Sequence, residues 1–261
     1  MRIALITARG GSTRIPRKNL IPICGLPLFA WSIIQAKCSK LIDKVYLTTD
    51  DDEIAEVGMK YGAHVIRRPV MDNGVTAGVP FRMALEEIER MHSVDSIVCM
   101  LPTSVLKFPN DIDGLCRAFD IREKGVTDVG TAAPVKECFF YKNDKPYWDR
   151  FRLTESEPVF YARIALADKF WNYSRMMGGW SCATRDFLYK TWSTNPDMDI
   201  DIDTTPIPMI PPRVALYAVQ EWQCTDIDYP EDAKIADLFM EHFILKGRGP
   251  EVYYEYWRNH G

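Results

Sequence analysis

The chain is 261 residues long, 47% hydrophobic and carries a formal net charge of −4, ample for one large α/β domain and too weakly charged to indicate a nucleic-acid or membrane-surface binder. No stretch approaches the roughly 20 uninterrupted apolar residues of a membrane span, and the N-terminus opens on a strand-like run rather than a leader, so a cytoplasmic protein is expected. Seven cysteines lie far apart and never form CxxC, which signals neither a disulfide framework nor a zinc site.

Apolar runs of strand length alternate with segments of helical period through the first half of the chain, the pattern of a parallel sheet covered by helices on both faces. RIALITA (2–8) reads as a buried strand. Residues 27–38 form a helix with Leu28, Trp31, Ile34 and Cys38 along one stripe. VYLTTD (45–50) is a strand, and the helix after it opens on acids and ends near Gly62. HVIRR, SIVCMLPT, VGTAAPV (129–135) and RVALYAV (213–219) are further strands, while 79–91 and 111–122 are helical. Residues 230–243 form an amphipathic helix with Ile235, Leu238 and Phe239 expected inward, and 247–261 is expected as an aromatic tail packed on the surface.

From about residue 136 to 175 this rhythm fails and aromatic side chains crowd in. An insertion so rich in large apolar groups must bury them, against its own domain or against another subunit, and of the two a homodimer contact is expected. The domain organisation read here is a single domain over 1–261 carrying that insertion. The alternating acids Asp197, Asp199, Asp201 and Asp203 read as a solvated strand face, with a cation site as the other option.

The loop ARGGSTRIPRKNL (8–20) concentrates charge. Residues 1–42 hold seven basic side chains and no acidic one, so the net negative charge lies in the rest of the chain. A glycine-bearing turn after the first strand of a parallel sheet sits at the carboxyl edge, where ligands of such folds bind. Gly10 and Gly11 let backbone amides approach an anion, and Arg9, Arg14, Arg17 and Lys18 could neutralise several phosphate charges. The loop is neither GxGxxG nor GxxxxGK[ST]. Near the other end, Asp226 and Asp228 flank Ile227; on an extended segment they point to one side, about 7 Å apart by strand rise, so both could meet one cation. Helix capping is the competing use of these acids.

The opening loop followed by GLPLFAWSI, TTDDDEIAEVGMKYGA, RRP, LPTSVLK and TDIDYPEDAKIAD resembles the acylneuraminate cytidylyltransferases, which couple CTP to sialic acid and related nonulosonates. The likeness covers residues 1–125 and 213–240. It implies a Rossmann-like, mostly parallel sheet flanked by helices, in a nucleotidyltransferase architecture. It also implies a loop that holds the CTP triphosphate through Ala8, Arg9, Gly10, Gly11, Ser12, Lys18 and Asn19, with Arg9 and Lys18 as the main cations. Arg68 falls near the cytosine, Thr103, Ser104 and Arg175 fall on the substrate side, and Asp226 and Asp228 are the Mg²⁺ ligands. Arg9, Lys18, Asp226 and Asp228 would then carry the catalysis. The implied partners are CTP and an acidic ulosonic sugar, with no nucleic acid and no membrane.

Departures from the family pattern fall on the acceptor side. LPTSVLK stands for QPTSPLR, so Leu101 replaces an amide, and Val75 stands where an aspartate is usual. RMMGGWSCA stands for RPNGAIY, which places Gly178 and Gly179 at a tight turn and leaves Trp180 either beside a sugar pocket or in the core. A 3-deoxy-2-ulosonic acid other than sialic acid fits this asymmetry. Transfer to a sugar or polyol phosphate, and a non-catalytic nucleotide-binding relative, remain alternatives.

Overall fold

The computed structural model describes residues 1–72, 75, 77–124, 126–134, 140–142, 148–150, 174–186, 188 and 213–259. Expected strands and helices appear in order. The chain runs β1 (Arg2–Thr7), a short hairpin of β2 (Pro22–Ile23) and β3 (Leu26–Pro27), α1 (Leu28–Lys37), β4 (Lys44–Thr49), α2 (Asp52–Lys60), β5 (His64–Arg67), α3 (Gly78–Glu89), β6 (Ser96–Met100) and α4 (Asp111–Asp120). It continues through β7 (Val126–Pro134), β8 (Phe140–Lys142), β9 (Trp148–Arg150), β10 (Ser174–Thr184), β11 (Arg213–Ala218), α5 (Pro230–Phe239), a π-helical turn at Met240–Leu245, and α6 (Glu251–Asn259). The acidic stretch 197–203 and most of the aromatic-rich segment 136–175 lie outside the described residues.

Seven of these strands form one sheet in the order β11-β7-β10-β6-β1-β4-β5. β1 pairs in parallel with β4 and β6, β4 with β5, and β11 with β7, while β10 runs against both β6 and β7. The sheet is therefore mostly parallel and covered on both faces. Ile3, Leu5, Ile97 and Cys99 meet Phe81, Leu85 and Ile88 of α3 on one face. Ala4, Ile6, Val98 and Met100 meet α1, α2 and α4 on the other.

α1 differs from its expected one-sided character. Every residue from Leu28 to Ala36 is buried, because Phe29, Ile33 and Ala36 face the sheet while the Leu28, Trp31, Ile34 and Cys38 stripe is covered from outside. The covering layer is C-terminal: Ala236, Met240, Ile244, Leu245 and Tyr253 close over that stripe. Residues 251–259 are thus a helix that plants Tyr253 in the core, 6.1 Å from the Trp31 ring, rather than a tail laid on the surface. Its hydroxyl accepts from the amide of Gln35, 3.2 Å away.

The face of α5 also differs. Ile235 and Leu238 are 42% and 67% exposed, and Ala236 and Met240 point inward instead, with Phe239 partly buried beside them. Asp237 on the same helix accepts the backbone N–H of Cys24 at 2.6 Å, a polar contact that holds α5 against the turn between β2 and β3.

Asp128 on β7 is buried, accepts a hydrogen bond from Ser181, and its Oδ1 finds no partner among the described residues. Burial pushes its carboxyl up to about 6, against the opposing effect of the Ser181 and Val129 hydrogen bonds. Between about pH 4 and 6 the folded state keeps a proton that the unfolded chain releases, so stability falls across that window as pH rises. Asp128→Asn is expected to abolish this fall and to leave the variant more stable at pH 7, by up to about 3 kcal/mol at about 1.4 kcal/mol per pKa unit. Urea midpoints of both proteins at pH 4, 5.5 and 7 read the difference; parallel pH profiles would contradict it.

Candidate active site

The loops that follow β1, β4, β5, β6 and β11 meet at the carboxyl edge of the sheet. β1 lies between β6 and β4, so the chain order reverses there and leaves a crevice. At the end of β1, Ala8 stays buried and donates its N–H to Thr48 at 3.0 Å, after which the loop turns outward. Asn19 closes it by donating from its amide to the Arg9 carbonyl at 2.9 Å. Gly10 donates its N–H to Asp50 Oδ1 at 2.9 Å, and a Cβ there would stand 2.3 Å from Asp51 Oδ2, so a side chain is excluded.

The four expected cations separate. Arg17, at φ 56°, turns away and pairs with Asp51 and with Glu53 at 2.6 Å, tying the loop to the N-terminus of α2 instead of serving an anion. Lys18 turns the other way. Its Nζ donates to the Ile227 carbonyl at 2.6 Å and to Asp228 Oδ1 at 3.1 Å. Arg14 reaches Asp228 Oδ2 at 2.8 Å and lies over the Tyr229 ring, 5.4 Å from its centre. Arg9 lines the crevice beside Lys18.

Of the two acids, Asp228 meets the opening loop, through Lys18 and Arg14, while Asp226 meets Ser104 on the loop after β6. Ile227 is fully buried and donates its N–H to the Thr103 carbonyl at 3.1 Å, so Asp226 and Asp228 leave the backbone away from the core. Capping of α5 falls to Asp232, which accepts from the backbone N–H groups of Asp228 at 3.0 Å and Tyr229 at 2.7 Å. Partial burial would raise the Asp228 carboxyl, but Lys18 and Arg14 outweigh it and hold the group below the usual carboxylate range. Asp226 Oδ1 accepts the Ser104 hydroxyl at 3.4 Å. Two carboxylates and a hydroxyl are hard oxygen donors, too few to cage a cation. They suit one that brings water and phosphate oxygens of its own, as Mg²⁺ does.

The crevice encloses about 240 Å³. Arg9, Ser12, Lys18, Asn19, Arg68 and Thr103 belong to its polar lining, together with Thr7 and the acid Asp72, and Met71, Val75, Leu101 and Pro102 form an apolar wall. Arg68 is 5% exposed and meets Asp50 Oδ2, 6% exposed, at 3.3 Å. Burial and the nearby Arg9 charge weigh against the Arg68 charge, and Asp50 offsets them. Asp50 is thus a part of the site that motif reading did not single out, though an acid directly after a strand at the carboxyl edge was its signal.

β10 replaces the tight turn expected at Gly178 and Gly179. The register of β10 against β7 shifts between Met176 and Ser181, and the Gly179 carbonyl accepts the Leu101 N–H at 2.7 Å. A Cβ on Gly179 would stand 1.8 Å from Ser104 Oγ. Glycine is needed there for close approach rather than for a turn. Trp180 is core, 2% exposed and edge-on to Tyr217, with no place in the crevice lining. Arg175 pairs by backbone with Ala133 near the end of β7, and Gly11 stands exposed at the loop rim.

A mostly parallel sheet with a cationic, glycine-bearing loop after its first strand and a crevice at the switch point is the arrangement of the doubly wound α/β class. A family model described as cytidylyltransferase matches residues 3–148, and the chain belongs to that family. It is 38% identical over 108 residues to a pseudaminic acid cytidylyltransferase of Campylobacter jejuni subsp. jejuni serotype O:23/36 (strain 81-176); the match covers 40% of this chain and 47% of the relative, about half its length. It is 46% identical over 255 residues to the post-translational flagellin modification protein B of Campylobacter coli, covering 94% of this chain and 97% of that one. The solved structure of CMP:2-keto-3-deoxy-manno-octonic acid synthetase complexed with CTP shares the fold, with a TM-score of 0.64 at 16% identity over 92% of this chain and 98% of the other.

Gly179→Ala is expected to force Ser104 from its seat beside Asp226. A destabilisation of about 1–3 kcal/mol follows from overpacking. Chemical denaturation measures it, and an unchanged midpoint would show that the loop yields without strain.

Proposed function

We propose that this chain is a CTP-dependent cytidylyltransferase that activates an acidic 3-deoxy-2-ulosonic sugar to its CMP derivative and releases pyrophosphate. The observation that carries the proposal is the meeting of Lys18 with Asp228 at the mouth of a crevice lined by Arg9 and Arg68. Membership of the cytidylyltransferase family supports the nucleotide, and the name of the Campylobacter jejuni relative supports the sugar class. The apolar wall made by Leu101 and Val75 supports an acceptor other than sialic acid.

In the proposed reaction the anomeric hydroxyl oxygen of the sugar bonds to the α-phosphorus of CTP. The bond from that phosphorus to the bridging oxygen breaks, pyrophosphate leaves with the electron pair, and the hydroxyl proton passes to water. Arg9 and Lys18 hold the triphosphate and meet the charge that grows on its oxygens, while Ser12 and Asn19 orient it. Arg68, fixed by Asp50, faces the base, and Thr103, Ser104 and Arg175 serve the acceptor side. Asp226 and Asp228 would hold Mg²⁺, which supplies Lewis-acid stabilisation of phosphate charge. The aromatic-rich segment 136–175 supports a homodimer. The scattered cysteines without CxxC spacing suit a reducing, cytoplasmic setting. Among the described residues no helix is long and apolar enough to cross a membrane.

Pyrophosphate release is the assay, with CTP, UTP and GTP against a panel of ulosonic acids and of sugar and polyol phosphates. Turnover is expected with CTP and an ulosonic acid, abolished by EDTA and restored by Mg²⁺. Lys18→Met is expected to lower kcat/KM by about 100-fold or more, the scale set by removing one preorganised charge donor. Turnover with a polyol phosphate alone, or tight CTP binding without any pyrophosphate release, would overturn the proposal.

A further inference from the structure

Lys107 ends the loop that leaves β6, and its side chain has no exposure to solvent. Its Nζ donates to the backbone carbonyl of Ser104 and stands 5.3 Å from the centre of the Trp180 ring. Burial lowers its pKa to about 7, and the carboxylates of Asp111 and Asp226 act against that fall. A methionine would fill the same space without the cost of desolvating a charge. What a methionine would lack is the hydrogen bond from Nζ to the Ser104 carbonyl and the attraction to the two carboxylates.

Those contacts lead to Asp226. Ser104, whose carbonyl Lys107 holds, presents its hydroxyl to Asp226 Oδ1 at 3.4 Å. Thr103, one residue earlier, accepts the Ile227 N–H. Asp111 accepts the Gln223 amide at 2.6 Å and the Phe108 N–H at 2.7 Å, while Gln223, three residues before Asp226, also donates to the Leu106 carbonyl at 3.2 Å. One loop, 101–107, thus grips the acidic segment through its backbone and through Ser104, and Lys107 is the charge inside that grip.

We infer, on the cytidylyltransferase reading above, that Lys107 is a positioning residue for the divalent cation: through the Ser104 carbonyl and its field on Asp226 it fixes the carboxylate that receives the metal. It touches neither nucleotide nor acceptor. Losing it loosens the acid without emptying the phosphate loop, so metal affinity and metal-free CTP affinity part company.

Mn²⁺ binding to the full chain, followed by electron paramagnetic resonance with CTP present and no acceptor, tests this without turnover. Calorimetry of CTP in EDTA supplies the second readout. Lys107→Met is expected to weaken Mn²⁺ binding by about 10-fold or more, the range for residues that orient metal ligands. CTP affinity in EDTA and the far-ultraviolet circular dichroism stay at parental values, and Lys107→Arg recovers Mn²⁺ binding. Should Lys107→Met fail to fold, Ser104→Ala is expected to weaken Mn²⁺ binding in the same direction. Parental Mn²⁺ affinity in a folded Lys107→Met, or equal losses of Mn²⁺ and metal-free CTP binding, overturns the inference. If the parent protein binds Mn²⁺ no better than Asp226→Asn does, the metal reading itself fails and the inference with it.

Discussion

Because Ile227 packs into the same cluster as Leu28, Trp31 and Tyr253, the acids on either side of it have one direction left, away from the core, where Asp228 meets the opening loop and Asp226 meets Ser104. The magnitudes favour this account over one in which charges assemble the site. Burying an isoleucine is worth about 1.5–3 kcal/mol. The Lys18–Asp228 pair is 15% and 44% exposed, and such pairs contribute about 0–1 kcal/mol. The apolar residue sets the geometry, and the ion pair reports it. Placement of the acids is thus an outcome of the same layer, α5 to α6, that covers the outer stripe of α1.

The charges matter for what binds. Lys18 and Arg14 both rest on Asp228, so the proposed phosphate contact and the proposed metal ligand neutralise one another while no ligand intervenes. A triphosphate that draws Lys18 away uncovers the carboxylate, and a cation on the carboxylate releases Lys18. Such coupling is reciprocal by necessity, so nucleotide and metal would each raise the affinity of the other. Arg17 stands outside this exchange, locked to Asp51 and Glu53, and serves to hold the loop still.

Much of this was legible in the sequence because it depends on local periodicity. The strands of β1, β4 and β6 are short apolar runs, α2 begins on acids with Asp51 accepting the Ile54 N–H at 3.0 Å, and the D-I-D alternation states its own geometry. What was not legible depends on contacts between distant segments. The side of α5 that faces inward depends on packing against α1 and on Asp237 meeting the distant Cys24, so ranking its residues by hydrophobicity put Ile235 and Leu238 on the wrong side. Tyr253 belongs to the core because α1 has two covered faces, and a stripe of Leu28, Trp31 and Ile34 says nothing about which layer will cover it. Asp50 acts through the backbone N–H of Gly10, forty residues earlier, and no spacing rule links the pair.

The reversed strand explains why the departures from the family pattern cluster as they do. β10 enters the sheet between β6 and β7 against their direction, and so brings residues ahead of Trp180 past the carboxyl edge of β6, where the loop 101–107 begins. At that junction Gly179 and Ser104 occupy what would otherwise be a steric clash, and the Leu101 N–H bonds to the Gly179 carbonyl. A change in either segment must be answered by the other, since a carbon added to Gly179 requires the Ser104 side chain to move. Leu101 in the crevice wall and Gly179 against Ser104 are therefore two halves of one accommodation. The same junction ends, through Ser104, at Asp226, so the proposed acceptor wall and the proposed metal ligand share a single rigid support.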